Sequence, residues 1–146
     1  MVMVRGCDLP DDLLYGVDNH IWFRELGDGT VRLGMTRVAT AMAGQLVAVT
    51  PRKAGRSVDA GKSCATIESG KWVGPARSIA AGKVVAVNDD LVAKPSIANA
   101  DPYDQGWLVI LQPEDWGAVK PQLVTGPAIA ARYEAKMAAD DFKSCA

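Results

Sequence analysis

The stretch C-A-T-I-E-S-G-K-W, residues 64–72, decides the fold. Its β-branched and small residues up to Ile67 predict a strand. A second β-rich run, G-K-V-V-A-V at residues 82–87, begins eleven residues after Lys71. Glycine precedes this lysine and Gly74-Pro75 follow it, so we expect Lys71 to stand exposed at a hairpin tip between two strands. A lysine in that position is a candidate for covalent attachment of a cofactor.

Length and charge set the broad class. The chain has 146 residues, 49% of them hydrophobic, and a formal net charge of −1. These numbers predict a single domain over residues 1–146 that buries a real core, with no general attraction for nucleic acid or anionic membranes. No apolar run approaches the roughly 18 residues of a membrane span. Residues 1–8 lack the pattern of a signal peptide, so we expect a cytoplasmic protein.

The three cysteines are Cys7, Cys64 and Cys145, with no C-x-x-C pair. An odd count without close spacing argues against a disulfide scaffold and against a zinc site. Cys64 lies in an apolar strand pattern and is expected to be a buried, inert thiol. Cys7 and Cys145 lie near opposite ends of the chain, where they are either bystanders or participants in thiol chemistry; composition favours bystanders.

The N-terminal half alternates strand and helix signals. Residues 8–18 predict a single helical turn with acids at its positive end. Residues 20–26 and 30–35 predict a hairpin around Gly27-Asp28-Gly29. Residues 36–43 predict a short helix that begins at a Thr36 N-cap and ends before Gly44.

An internal repeat organises the centre of the chain. Residues 44–50 (G-Q-L-V-A-V-T) match residues 82–88 (G-K-V-V-A-V-N) in character, position by position. Two similar halves predict a pseudo-two-fold β-sandwich in which Lys71 lies in the hairpin that joins them. Residues 107–111 predict a closing strand. Residues 128–142 predict a terminal amphipathic helix, in which the apolar residues recur every four positions at Ile129, Tyr133 and Met137.

Intrinsic catalysis has little support. The one histidine, His20, lies on a predicted strand beside Trp22, where a structural role is the commoner one. The chain has no phosphate-binding glycine loop, no metalloprotease motif and no nucleophile elbow. The paired acids are neighbours in sequence and read as solvated charges. We therefore expect a non-catalytic protein without a metal site.

Several motifs resemble one family. The E-S-x-K tip at Glu68–Lys71, followed by Gly82 and a valine-rich strand, resembles the glycine cleavage system H protein, a lipoyl carrier. Further matches are His20-x-Trp22, Gly55-x-x-Val58-x-x-Gly61, Asn99-x-Asp101-Pro102-Tyr103-x-x-Gly106-Trp107 and Tyr133-Glu134 in the terminal helix. The resemblance covers roughly residues 13–137.

The resemblance implies a fold and a cofactor. The fold is mainly β: a lipoyl/biotinyl-type β-sandwich (barrel-sandwich hybrid) of two antiparallel sheets with short helices and a C-terminal helix. Its core spans about residues 13–112 and its helical extension about residues 114–146. The cofactor is lipoate, covalently attached at Lys71. Biotin carriers instead have methionines flanking the lysine, and acyltransferase lipoyl domains are shorter and carry D-K-A.

The chain departs from the family pattern after the lysine. Bulky Trp72, a displaced Pro75 and positive Arg77 stand where small or acidic residues are usual. With Cys7 and Cys145, they resemble the lipoate-binding proteins of bacterial sulfur oxidation, and this branch is our preferred interpretation. The glycine-cleavage carrier of the aminomethyl group is the alternative, and an unmodified binding module is a second one.

The resemblance also implies roles and partners. Glu68, Ser69 and Gly70 shape the hairpin for recognition by a lipoate–protein ligase. Trp72 either gives the hydrophobic arm a resting surface or caps the sandwich edge. The partners of the sulfur branch are a heterodisulfide-reductase-like complex and a dihydrolipoamide dehydrogenase; those of the alternative are the glycine-cleavage enzymes.

Overall fold

Lys71 lies at a hairpin tip as the sequence predicts, but the second arm of the hairpin is Val73–Ser78 and not the predicted run at 82–87, which belongs to another sheet. In the computed structural model, which describes residues 1–145, strands Lys62–Ser69 and Val73–Ser78 pair antiparallel, with Ile67 opposite Gly74 and Glu68 opposite Val73. Alternate residues of the first strand from Ala65 to Ser69 point into the core. This alternation fixes the register, because a slip of one residue would turn the apolar set toward solvent.

Eleven strands lie within the described residues, and they form three antiparallel sheets. In chain order they are β1 Val2–Val4, β2 Cys7–Leu9, β3 Leu14–Gly16, β4 Ile21–Glu25, β5 Val31–Met35, β6 Leu46–Pro51, β7 Ser57–Val58, β8 Lys62–Ser69, β9 Val73–Ser78, β10 Gly82–Val87 and β11 Trp107–Pro113. A six-stranded sheet has the order β3-β4-β5-β11-β10-β7, and a three-stranded sheet has the order β6-β8-β9. The third sheet is the ribbon β1-β2.

Short helices connect these strands. They are α1 Arg37–Ala43, α2 Asp89–Ala93, α3 Ile97–Ala100, α4 Trp116–Val119 and α5 Ala128–Ala139. Helix α1 begins where the sequence predicts: the Thr36 hydroxyl accepts a hydrogen bond from the Ala39 N–H at 3.2 Å. It ends at Gly44, whose φ of +84° is a conformation that favours glycine.

Most of the core lies between the six-stranded and three-stranded sheets. Its fully buried side chains include Ile67 from the three-stranded sheet and, from the six-stranded sheet, Phe23, Leu33, Val84 and Leu111. The repeated strands β6 and β10 belong to different sheets. The two antiparallel sheets, the short helices and the C-terminal helix match the predicted lipoyl-type sandwich.

A second core cluster lies outside the sandwich. Helix α5 packs Ile129, Tyr133 and Met137 into it, as their spacing predicts, together with Tyr15 and Trp22. Residues of β1 and β2 complete it, namely Val4, Cys7 and Leu9. The first twelve residues are therefore part of the packed fold, although the sequence interpretation placed the start of the core near residue 13. The predicted helical turn over residues 8–18 is wrong. This stretch contains the end of β2 and the whole of β3, and a 3₁₀ turn follows at Val17–Asn19.

A disulfide joins the two chain ends, which corrects the expectation drawn from the cysteine count. Cys7 and Cys145 form this bond across 138 positions, with their Cα atoms 5.1 Å apart. The β1–β2 ribbon and the returning C-terminal segment bring them together: the Cys145 N–H donates to the Arg5 carbonyl oxygen at 3.0 Å. Cys64 is the free thiol, and it is buried as predicted.

The disulfide carries a stability prediction. Closing so long a loop restricts the unfolded chain, and loop entropy alone gives a stabilisation of about 5 kcal/mol. We expect Cys7→Ser to lower the free energy of unfolding by about 3–5 kcal/mol, measured by urea denaturation without reductant. Cys145→Ser should have the same effect, and wild type with reductant should match both variants. A loss below about 1 kcal/mol would contradict the prediction.

Candidate functional site

Lys71 lies at the tip of the β8–β9 hairpin and is exposed. No ion pair involves its ammonium group among the described residues. Its aliphatic stem lies against Gly44, where an added Cβ would stand 3.2 Å from the Lys71 Cε. The lysine is therefore supported along its stem while its amine remains open to solvent and to a modifying enzyme.

Ser69 closes the turn before the lysine. Its N–H donates to the Trp72 carbonyl oxygen at 2.8 Å, and its hydroxyl accepts from the Lys71 N–H at 3.3 Å. Glu68 is exposed on the outer face of β8. A side chain at Gly70 would meet open space, so packing does not require glycine there. Of the residues predicted to shape the tip, Ser69 has the clearest structural role.

Trp72, in the turn, packs against Gly74 at the start of β9. An added Cβ at Gly74 would overlap the indole ring, so glycine is required there by the close approach of Trp72. The side chain stays 41% exposed. It also lines a cleft of about 580 Å³, which we call the β9 cleft.

The β9 cleft runs from the tip along strand β9. Its walls are the segment 18–21, helix α1 and the outer side of β9, and Lys71 lies at its edge. Asp18 is the one carboxylate among the described lining residues, and Arg77 is the cation other than Lys71. Arg77 lies four residues beyond Val73 on β9, which is about 13 Å along an extended strand. It therefore belongs to the far part of the cleft and not to the tip.

Asn99 holds the turn on which Lys71 rests. Its side-chain amide donates to the Gly44 carbonyl oxygen at 2.9 Å and accepts from the Leu46 N–H at 2.9 Å. The Asn99 carbonyl oxygen accepts from the Arg37 guanidinium at 2.5 Å, so the same residue contacts both ends of α1. The sequence pointed to this residue only as part of a motif, and gave it no role.

The residues that follow Asn99 in the 99–107 motif also hold helix α1. The Tyr103 hydroxyl donates to the Asp8 carbonyl oxygen at 2.6 Å and accepts from the Arg37 N–H at 2.9 Å. The Pro102 carbonyl oxygen accepts from the Trp22 indole N–H at 2.9 Å. An added Cβ at Gly106 would stand 2.7 Å from the Asp101 carbonyl oxygen, so only glycine fits there. The segment 99–107 thus fixes the position of α1 relative to the sheet.

His20 is a buried wall residue of the β9 cleft. Its φ is +55°, and its Nδ1 is buried without a partner among the described atoms. The ring stacks on Tyr133, and Nε2 lies 3.9 Å from the Asp140 carboxylate. Burial, with a smaller contribution from nearby Lys136, lowers the pKa of His20 to about 4. The imidazole is therefore neutral at pH 7, and its contacts are structural, as the sequence interpretation expected.

Cys64 and the described acidic residues form no further reactive or metal-binding site. Burial raises the pKa of the Cys64 thiol to about 12, so this thiol is unreactive at neutral pH. Among residues 1–145, no group of three His, Cys, Asp or Glu side chains could hold a metal ion. None of the helices found there is long and apolar enough to cross a membrane.

Comparison with known proteins places this arrangement. Residues 14–136 match the family model described as "Glycine cleavage H-protein". The chain is 48% identical over 128 residues to glycine cleavage system H protein 5 of Aquifex aeolicus, covering 85% of this chain and 86% of the relative. It is 40% identical over 130 residues to a probable glycine cleavage system H protein 2 of Sulfurisphaera tokodaii, covering 88% and 87%.

A solved structure agrees. The glycine cleavage system H protein from Mycobacterium marinum superposes with a TM-score of 0.74 at 35% identity, covering 85% of this chain and 98% of that one. At this identity and coverage the likeness extends beyond the sheet topology to the whole sandwich.

Asn99→Ala tests the support of the tip. The substitution removes both side-chain hydrogen bonds to the Gly44–Leu46 backbone, each worth about 1 kcal/mol, and leaves a half-buried carbonyl and N–H without these partners. We expect a loss of about 2–3 kcal/mol in the free energy of unfolding, measured by urea denaturation. Asn88→Ala is the control: it removes bonds to the Gln105 and Trp107 carbonyl oxygens and the N-cap bond from the Leu91 N–H, away from the Gly44 turn.

The two variants should differ in local exchange. Asn99→Ala should accelerate amide hydrogen exchange at residues 44–46, and Asn88→Ala should not. Equal exchange at residues 44–46 in both variants would contradict the assigned role of Asn99.

His20 predicts a pH dependence. The folded-state pKa of about 4 lies below the ordinary value of 6.5, so the unfolded chain binds the proton first as the pH falls. The stability is complete above pH of about 6.5 and is lost progressively toward pH 4, by about 3 kcal/mol in all. We expect His20→Asn, which tolerates positive φ, to lose about that much less than wild type between pH 7 and pH 4. Parallel pH–stability curves for the two proteins would refute it.

Proposed function

The chain belongs to the glycine cleavage H-protein family, and on this premise we propose that it is a lipoyl carrier whose arm is attached at Lys71. Proteins of this family carry a covalently attached lipoate on a lysine and are themselves non-catalytic. The observation that carries the assignment to Lys71 is its exposed place at the tip of the β8–β9 hairpin, where its amine has no ion pair with residues 1–145.

The residues around Lys71 fit such a group. Lipoate supplies a dithiol–disulfide pair that can be reduced, loaded and reoxidised. The chain contributes placement: Ser69 fixes the turn, Gly44 lets the lysine stem approach the α1 end, and Asn99 holds Gly44. The β9 cleft begins beside the lysine and offers Trp72 and the apolar Ile21, Met35 and Pro75 as walls. A largely apolar surface of this kind supports a hydrophobic arm at rest.

The names of the related proteins support one chemical group as the cargo of the lipoyl arm. The matched proteins of Aquifex aeolicus and Mycobacterium marinum are named glycine cleavage system H proteins. The first candidate for this chain is therefore the aminomethyl carrier of glycine cleavage, with a lipoate–protein ligase and the glycine-cleavage enzymes as partners. Asp18 is the carboxylate in the β9 cleft that would attract the protonated amine of such a load.

A second candidate has its own observation. Arg77 is positive, lines the far part of the β9 cleft and makes one hydrogen bond there, to the Gly61 carbonyl oxygen at 3.3 Å. Among the described residues no carboxylate pairs with this guanidinium, and a guanidinium favours an anionic load over an ammonium group. This supports a carrier of oxidised sulfur species, which works with a heterodisulfide-reductase-like complex and a dihydrolipoamide dehydrogenase. The same Lys71 arm serves both candidates.

Lipoylation is tested by mass. Wild-type protein from a lipoate-supplied native host should gain the mass of one lipoyl group, and Lys71→Arg should gain nothing, because the guanidinium is not acylated. Lys94→Arg is the matched control, since Lys94 is also exposed, and it should be lipoylated as wild type. Modification that persists in Lys71→Arg, or none in wild type, would remove the proposed role.

The load is tested by reaction. We expect the lipoylated protein to support decarboxylation of glycine by the glycine-cleavage decarboxylase, and Asp18→Asn to retain less of the loaded aminomethyl group than Arg77→Gln. No decarboxylation with fully lipoylated protein would reject the first candidate. If the Arg77 variant alone then loses binding of thiosulfate-derived loads, the second candidate takes its place.

A further inference from the structure

The disulfide between Cys7 and Cys145 is a second dithiol–disulfide pair in a chain whose proposed cofactor is one. We propose that this disulfide is an exchange centre that vicinal dithiols reduce while the chain stays folded, and that its opening loosens the wall of the β9 cleft. The proposal rests on the position and surroundings of the two sulfur atoms and does not require lipoate on Lys71.

The two cysteines differ in access. Cys7 lies in β2 and is fully buried, whereas Cys145 is half-buried in a terminal segment without regular structure. An incoming thiolate therefore reaches the Cys145 sulfur first, because attack requires an approach to the sulfur atom. A disulfide that is partly accessible at the end of a chain is the kind that opens without global unfolding.

Hydrogen bonds to neighbouring elements hold the terminal segment in addition to the disulfide. The Arg5 guanidinium donates to the Phe142 carbonyl oxygen at 2.6 Å, and the Cys145 N–H donates to the Arg5 carbonyl oxygen at 3.0 Å. The Phe142 N–H donates to the Met137 carbonyl oxygen at 2.8 Å. After reduction, these hydrogen bonds no longer have the covalent bond beside them. The segment after α5 can then separate locally from the β1–β2 ribbon.

Two sets of contacts connect the disulfide to the walls of the β9 cleft. The Cys145 sulfur lies 3.9 Å from the Arg37 carbonyl oxygen, in the first residue of α1, whose other end is Gly44 beside Lys71. On the other route, Tyr133 of α5 and Asp140, the residue that follows α5, contact His20 in the cleft wall. Both walls therefore depend on elements that the disulfide fastens to the ribbon.

The chemistry balances with a dithiol as the reductant. One thiolate of the dithiol attacks the Cys145 sulfur, the bond between the cysteines breaks, and Cys7 leaves as a thiolate that takes up a proton. The second thiol of the reductant then attacks the mixed disulfide, forms a cyclic disulfide and releases Cys145 as a thiol. Two electrons and two protons pass from the dithiol to the two cysteines. A vicinal dithiol is favoured because its second step is intramolecular.

The test uses the full chain without lipoate, so it is independent of modification at Lys71. The protein is incubated with dihydrolipoamide, trapped with N-ethylmaleimide under native conditions and weighed intact. We expect one adduct, at Cys145, and one lipoamide formed per chain, with circular dichroism unchanged, and a further adduct at the fully buried Cys7 only after denaturation. Glutathione at the same thiol concentration should reduce the disulfide at least about tenfold more slowly. Cys64 is the internal control, because it should be labelled only after denaturation.

Two variants and one further measurement complete the test. Cys145→Ser should form no lipoamide, and Cys64→Ser should behave as wild type. Hydrogen exchange of the reduced protein should rise several-fold at residues 17–20 and 128–142. If the disulfide resists dihydrolipoamide until urea unfolds the chain, it is a structural bond only and the proposal is overturned. Faster exchange confined to residues 142–145 would refute the link to the β9 cleft.

Discussion

The support of one lysine stem by one glycine is the contact on which the site depends. Lys71 stands at a hairpin tip, where a long side chain would otherwise sample every direction. Gly44 lies against its Cε, and a side chain at that position would push the lysine away. Gly44 in turn has positive φ and ends α1, so the conformation that permits the contact also ends the helix. The lysine is thereby guided by backbone, while its amine stays free.

That contact draws in the rest of the fold. Asn99 holds the Gly44 turn with two hydrogen bonds, and Tyr103 holds the other end of α1 through Arg37. Tyr103 also donates to Asp8 in the ribbon that carries Cys7. Hydrogen bonds therefore connect the β1–β2 ribbon to the Gly44 turn on which the Lys71 stem rests. A carrier benefits from this arrangement because its partners must find the arm in a reproducible place.

The β-sandwich and the second core cluster have different structural roles. The sandwich fixes the β8–β9 register and presents the tip, and its buried alternation makes that register unique. The second cluster, built around Tyr15, Trp22 and Tyr133, fastens α5 beneath the segment 17–20. His20 belongs to both regions, since it lines the cleft and stacks on Tyr133. The cleft is thus shaped by residues from the start, the middle and the end of the chain.

The sequence determined the features that depend on local chemistry: strand β8, the exposed Lys71, the Thr36-capped helix, the apolar stripe of α5, and the family whose motifs surround them. The strand, the helix cap and the apolar stripe follow from periodicity and capping, which act over a few residues, whereas the family follows from the resemblance of motifs along the chain. Tertiary structure alone decided the disulfide, the placement of the β1–β2 ribbon against α5 and the two bonds of Asn99. The physical reason is distance along the chain. Cys7 and Cys145 lie 138 positions apart, and Asn99 lies 55 positions from Gly44, so only the packing of the whole fold brings them together.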